Sequence, residues 1–293
     1  FEESSSETIK QVFDEKSEPN TILKETDSAN QTKGEIIGGH YELIELIALG
    51  GMSSVYLARH LLLDQLVAVK FILPKLIHDS KTIARFRAEA QAASSLQHPN
   101  IASVREYGAT ADEKVYIVME YVQGITLETF LKKSEVIETS EILKLLIQLC
   151  DGLKYAHGEG VIHRDLKPAN LCVVETRKHE KQLKILDFGI AKVLREDNQG
   201  PNLTKTGDIF GTPKYMSPEQ CYGSAVDNRS DIYSFGCILY ECITGVPPFQ
   251  SDSILELMMK HVQSDLDLTH EKLTDELKFV ISKSMAKDPQ YRY

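Results

Sequence analysis

His163-Arg-Asp-Leu-Lys-Pro-Ala-Asn170, followed by Asp187-Phe-Gly189, is the stretch from which the rest of this chain is read. It sets a carboxylate (Asp165), an ammonium group (Lys167), an amide (Asn170) and a second carboxylate (Asp187) on neighbouring loops. Phosphoryl transfer from a magnesium–nucleotide needs such groups: one to orient the attacking hydroxyl, a cation for the moving phosphate, and two hard oxygen ligands for the metal. Singly, each is an ordinary exposed polar residue. In this order, with a strand–turn–strand between the two motifs, they point to one chemistry.

Upstream, Val67-Ala-Val-Lys70 ends an apolar strand in a lysine. Residues 80–96 read as a helix capped by Asp79 or Ser80, with Ile83, Phe86, Ala90, Ala93 and Leu96 on one arc and Glu89 inside it. A carboxylate on a buried face is costly without a partner. Lys70 is the natural candidate, although a strand-end lysine is as commonly solvated. Ala48-Leu-Gly50-Gly51-Met52-Ser53-Ser54-Val55 lies between two strands, where glycine lets backbone N–H groups approach phosphate oxygens. Alone, that loop reads better as a plain hairpin turn. Val115-Tyr-Ile-Val-Met119-Glu120-Tyr121-Val122 is an apolar strand running into a polar turn at Gln123-Gly124.

Downstream, a long segment runs from Asp187 to Ser217-Pro218-Glu219 and contains Thr204, Thr206 and Gly211-Thr212-Pro213. Asp227-Asn-Arg-Ser-Asp231-Ile-Tyr-Ser-Phe-Gly236 and Lys287-Asp-Pro-Gln-Tyr-Arg292 complete the set. From Tyr41 to Tyr293 it resembles the eukaryotic-like (Hanks-type) serine/threonine protein kinases, in the bacterial style of Gly50-Gly51-Met52 and Lys167-Pro-Ala-Asn170. The resemblance implies an α+β, bilobal protein-kinase fold: a small antiparallel β-sheet N-lobe with one helix, about 41–121, and a larger, mainly α-helical C-lobe, about 122–293, its last helix cut.

The resemblance further implies ATP as cofactor with Mg2+, or Mn2+ in its place. Ala48, Gly50, Gly51 and Ser53 cover the phosphates; Lys70, paired with Glu89, holds them; Val55, Ala68 and Cys172 line the adenine slot. Met119 guards its back, and backbone groups around Glu120 and Val122 bond the base. Asp165 is the base or hydroxyl-orienting group, Lys167 neutralises the γ-phosphate, and Asn170 and Asp187 hold the metal. Arg164 receives a phosphate on Thr204 or Thr206, Thr212 belongs to the substrate loop, Asp231 bonds the backbone of the His163–Asp165 loop, and Arg292 pairs with Glu219. The lysine two residues after Asp165 marks the serine/threonine branch. The family's glycine pattern is altered, with Ala48 and Ser53 at two of its three positions, so a nucleotide-binding pseudokinase scaffold stands as the alternative. A small-molecule phosphotransferase lacks the long segment ending at Ser217-Pro218-Glu219.

The gross numbers restrict partners and setting. A net charge of -10 leaves no basic excess for a phosphate backbone, which argues against nucleic acid and leaves proteins with Ser/Thr acceptors as partners. Five cysteines, at 150, 172, 221, 237 and 242, form no CxxC pair and read as buried hydrophobes in a reducing cytosol. No apolar run approaches ~18 residues, so the expected location is cytoplasmic, with a membrane tether left open for a longer chain; the start at Phe1 reads as that of a fragment. A dimer for trans-autophosphorylation is compatible with this reading.

Residues 1–40 are acidic, rich in Ser and Thr and poor in apolar side chains, which reads as a largely disordered leader. Ile9, Val12 and Phe13 have the spacing of a short docking helix, and Thr21, Thr26 and Thr32 are candidate sites for phosphorylation and a phosphothreonine reader. Strands are expected at Tyr41–Ala48, Val55–His60, Leu66–Phe71, Ile101–Tyr107 and Val115–Glu120. Helices are expected at 140–157, 227–244, 253–264 and 273–286, with Glu175–Gln182 as an exposed hairpin tip.

Overall fold

The computed structural model describes residues 33–50, 53–72, 87, 90–110, 114–133, 137–176, 178–188 and 213–293. The chain divides into two compact units: one of residues up to Ser95 together with Ser103–Tyr121, the other of Leu96–Ala102 with Val122–Tyr293. Of the acidic leader, residues 1–32 lie outside the described residues, with the helix and threonines read there.

The first unit is a six-stranded antiparallel sheet, in the order β1 (Ile36–Ile37), β2 (Tyr41–Leu49), β3 (Ser53–His60), β4 (Gln65–Ile72), β6 (Val115–Glu120) and β5 (Val104–Ala109). Directly paired residues point to the same face, so the register assigns the faces. One face is closed by an apolar cluster that includes Tyr41, Leu43, Tyr56, Ala58, Val67, Val69, Phe71, Tyr116 and Val118. Tyr56 and Phe71 meet edge to face at 5.7 Å. Glu106 reaches the same side, accepting from Tyr41 Oη at 2.7 Å and Tyr116 Oη at 3.4 Å. Burial and that carboxylate push the Tyr41 phenol up to about 12. Gly108 makes room for Tyr116: a Cβ there would sit 2.4 Å from its ring. The opposite face carries two cross-strand rows, Ala48–Val55–Lys70–Ile117 and Leu57–Ala68–Met119. Irregularities in β2 after Leu43 and after Leu46 shift its alternation.

Ala90, Ala93 and Leu96 are buried as the helical arc required, and residues 90–94 are helical. Ile83, Phe86 and Glu89 lie outside the described residues. The strand expected from Ile101 begins only at Val104. Ile101 instead bridges Ile185 in parallel, and Asn100 and Ala102 exchange backbone hydrogen bonds with Ile185 at 2.8 and 2.9 Å. The buried Asn100 also donates its side chain to Leu183 O at 2.7 Å. These bonds hold the segment to the second unit, where an apolar isoleucine satisfies a different sheet from the one its sequence neighbours join.

The second unit has a three-stranded sheet of β7 (Ile125–Thr126), β8 (Leu171–Glu175) and β9 (Lys181–Ile185). Its helices are α1 (Leu127–Lys133), α2 (Thr139–Gly158), α3 (Pro218–Tyr222), α4 (Asn228–Thr244), α5 (Ile254–Gln263) and α6 (Asp275–Ser284). The β8–β9 hairpin turns at its tip through His179 at φ 59°, as the charged run predicted. Helix α4 is buried nearly all round, including Tyr233, Cys237, Ile238 and Leu239. Asp227 caps its start by accepting from Arg229 N, and Gly245 ends it at φ 83°. Gly236 admits the end of α6: a Cβ there would lie 2.6 Å from Met285 Cγ. No helix among the described residues is long and apolar enough to cross a membrane.

Candidate active site

The loop from His163 to Asn170 is fixed first from below. Asp231, in the first turn of α4 and 1% exposed, accepts from His163 N at 2.8 Å and Arg164 N at 2.9 Å. Its Oδ2 also meets His157 Nε2 at 2.8 Å. One buried carboxylate therefore gathers the end of α2 and two consecutive backbone donors of the loop. Ionised acceptors make the stronger hydrogen bonds, which suits an anchor. The backbone role of Asp231 is the one the resemblance implies; that of His157, in the last turn of α2, carries no mark in the sequence.

His163 is fully buried. Its Nδ1 accepts from Asp165 N at 3.3 Å, so the ring proton sits on Nε2, which donates to Leu186 O at 3.1 Å. The ring also packs on Phe188 at 5.0 Å between centroids. The loop is thus tied to the chain entering the second motif. Arg164 and Asp187 both adopt positive φ, 62° and 52°, in the left-handed region that non-glycine residues enter at a cost. Arg164 Nε and Nη1 are buried.

On this frame Asp165, Lys167 and Asn170 converge. Lys167 Nζ lies 3.0 Å from Asp165 Oδ2, with both side chains part exposed. Asn170 Nδ2 donates to Asp165 O at 2.8 Å and Oδ2 at 3.3 Å. That bond turns the amide so that Oδ1 faces away from Asp165. Leu186 N donates to Asn170 O at 2.8 Å, coupling Asn170 to the residue before Asp187. Asn170 Oδ1 and the Asp187 carboxylate are hard oxygen donors, the kind magnesium takes alongside water and phosphate oxygens. Cys172 is buried on β8 opposite Thr126 and Lys184, and burial pushes its thiol up to about 12. Val122 opens the second unit.

The residues read as the nucleotide end fall in the first unit. Ala48, Val55 and Lys70 stand in one cross-strand row, Ala68 and Met119 in the next, all on the face opposite the apolar cluster. Lys70 is 4% exposed, so a solvated strand-end lysine does not describe it. Gly50 N donates to Ser53 O at 2.8 Å and closes the hairpin. Glu120 N donates to Ser103 O at 2.8 Å, which ties the end of β6 to the residue before β5. Gly51, Glu89, Thr204, Thr206 and Thr212 lie outside the described residues.

The segment's far end is anchored as well. Ser234 Oγ donates to Tyr215 O at 2.7 Å, and Tyr215 Oη to Glu241 Oε2 at 2.6 Å. Burial raises the Glu241 carboxyl, with the Tyr215 bond acting against it. The pairing of Arg292 with Glu219 is present and bidentate, at 2.7 and 2.9 Å. The other three guanidinium N–H groups reach the carbonyls of Ala286, Lys287 and Arg229.

Comparison with known proteins gives the same answer as the geometry. The serine/threonine-protein kinase pkn3 of Myxococcus xanthus is 43% identical over 240 residues, 82% of this chain and 44% of that protein. Serine/threonine-protein kinase PknB of Mycobacterium tuberculosis is 41% identical over 263 residues, 88% of this chain and 41% of that protein. PknB of Mycolicibacterium smegmatis is 40% identical over 268 residues, 89% and 42% respectively. The chain therefore spans about two fifths of the length of these relatives. The protein kinase domain family matches residues 41–293 throughout, and with the anchored Asp165–Lys167–Asn170 loop in place the chain belongs to the protein kinases.

Proposed function

We propose that this chain is an ATP-dependent serine/threonine protein kinase that transfers the γ-phosphate to protein hydroxyls, including threonines of its own activation segment. The observation that carries this is the meeting of Asp165, Lys167 and Asn170 on a loop whose backbone is clamped by Asp231. The names of its bacterial relatives support the same substrate class.

Asp165 orients the acceptor hydroxyl. An ordinary aspartate is a weak base at neutral pH, so proton transfer is easiest late, as the bond to phosphorus forms. Lys167 supplies positive charge where the transferring phosphoryl oxygens gather it. Asn170 and Asp187 would hold magnesium, which when bound neutralises phosphate charge. Lys70 anchors the α- and β-phosphates, with Glu89 as its partner. Arg164 receives the phosphate of Thr204 or Thr206, since a phosphothreonine carries roughly two negative charges and pairs well with guanidinium.

The test is transfer of labelled phosphate from ATP to dephosphorylated casein, native chain against Asp165→Asn. A fall of roughly 10²- to 10⁴-fold is expected, the range of a positioned acid–base group. No incorporation by either chain, with nucleotide still bound, would favour the pseudokinase scaffold that the altered glycine loop admits. Phosphosite mapping after Mg-ATP should find Thr204 or Thr206 occupied.

A further inference from the structure

Gln220 sits on α3, one residue beyond Glu219, outside every group assigned above. Its amide has two separate jobs. Oε1 accepts from Ser217 N at 3.0 Å and from Ser217 Oγ at 3.2 Å, capping the start of α3. Nε2 donates to Arg164 O at 2.8 Å, across 56 residues of sequence. The orientation of the amide is fixed by its neighbours, since a backbone N–H needs an acceptor and a carbonyl needs a donor.

The Arg164 peptide is the one immediately before Asp165, and Arg164 holds φ at 62°. A non-glycine residue stays in that region only when its surroundings enforce it. The enforcement is two-sided. Asp231 Oδ1 takes the Arg164 N–H at 2.9 Å, and Gln220 Nε2 serves the Arg164 carbonyl. Release of the carbonyl leaves that peptide held only through Asp165 N, which donates to His163, and Asp165 shifts on the loosened peptide. At the other end, Ser217 lies two residues beyond Tyr215, the end of the Pro213–Tyr215 turn that Ser234 and Glu241 hold. A single amide thus joins the seated end of the activation segment to the aspartate loop.

We propose that Gln220 is a positioning residue for phosphoryl transfer, acting through the Arg164 carbonyl to set the orientation of Asp165. The inference rests on Asp165 as the hydroxyl-orienting group.

The two jobs are separable by substitution. Glu serves as well as Gln in a helix-capping pair with serine, but a carboxylate has no N–H to donate. Gln220→Glu therefore keeps the cap and replaces the bond to Arg164 O with a repulsion between two oxygens. Ser217→Ala weakens the cap while leaving the Ser217 N–H and the Arg164 bond intact. With ATP, Mg2+ and dephosphorylated casein, Gln220→Glu should lower kcat about ten-fold, with KM for ATP near that of the native chain and a melting temperature within the few degrees lost by Ser217→Ala. Ser217→Ala should lower the melting temperature by a few degrees, as ~1 kcal/mol of lost capping does, and leave kcat unchanged.

Native kcat in Gln220→Glu overturns the proposal. So does an equal loss of kcat in Ser217→Ala, or a loss carried wholly by KM for ATP. Asp165→Asn, measured beside it, keeps the two readings apart: if that variant retains activity, the assignment of Asp165 fails; if it is inactive while Gln220→Glu is native-like, only the role of Gln220 fails.

Discussion

At the scale of single residues, Asp231 has the most to lose. Its carboxylate is buried and takes two consecutive backbone N–H groups and one imidazole. Asp231→Ala leaves both N–H groups buried without their acceptor, at about 1–3 kcal/mol each. Urea denaturation should therefore register a loss of roughly 2–6 kcal/mol. Transfer to casein should fall by about 10²-fold, because a small displacement of a reacting group costs that much. A variant that is destabilised yet transfers phosphate at the native rate would show that the loop holds its shape without this anchor. The sequence made Asp165, Lys167, Asn170 and Asp187 legible because they are close along the chain and ordered like a known set. Asp231 was legible only through the same resemblance. His157 and Gln220 were not: each acts through one hydrogen bond to a distant residue, and nothing in composition or periodicity marks such a bond.

At the scale of elements, α3, α4 and the turn at Arg292 form one buried ionic joint. Burial alone would raise the Glu219 carboxyl, but hydrogen bonds from Arg292 and Ser230 outweigh it and hold it below the usual range. Removing one member of such a pair strands the other charge. Arg292→Met should cost about 3–5 kcal/mol, and the double variant with Glu219→Leu should recover much of that loss in the same denaturation assay. A double variant no more stable than the single one would mean that packing, not the stranded charge, sets the cost. A second joint links α4 to α5. His261 is fully buried, meets Tyr233 Oη through Nδ1 at 3.0 Å, and packs against Phe249 at 5.0 Å. Burial, then the nearby Lys287 charge, lower its pKa from 6.5 to about 4. The unfolded chain therefore binds a proton through this window that the folded chain refuses. Stability from this residue is complete above the unfolded value of 6.5 and drains away as pH falls toward 4. The amount is roughly 3 kcal/mol, at 1.36 kcal/mol per pKa unit. His261→Gln should flatten the stability curve between pH 6.5 and 4.5, a range above the one in which Glu219 loses its own contribution. An unchanged slope would place the titration elsewhere.

At the scale of the whole molecule, the strand-rich first part and helix-rich second part were legible because periods of two and of 3.6 residues occupy different stretches of chain. The assignment of Leu96–Ala102 to the second unit was not, since it depends on Asn100 and Ala102 finding Ile185 rather than on any local pattern. The short α1 and β7 were missed for the same reason: they are too brief to show a period. Chain length also bears on how the activation segment would receive its own phosphate. Thr206 lies only seven residues before Pro213, whose turn is held by Ser234 and Glu241. Seven residues reach at most about 25 Å fully extended. On the proposed reading, an acceptor must lie along the 211–215 loop while its hydroxyl meets Asp165. A chain offering its own Thr206 would have to reverse within those seven residues while they also build that loop. Phosphorylation should therefore pass between two copies. Mixing the native chain with unlabelled Asp165→Asn chain and labelled ATP should place label on Thr204 or Thr206 of the inactive partner. The fraction of native chain phosphorylated per minute should rise in proportion to its concentration at high dilution. A fractional rate independent of concentration, with the inactive chain left unlabelled, would establish transfer within one molecule and remove the need for a second copy.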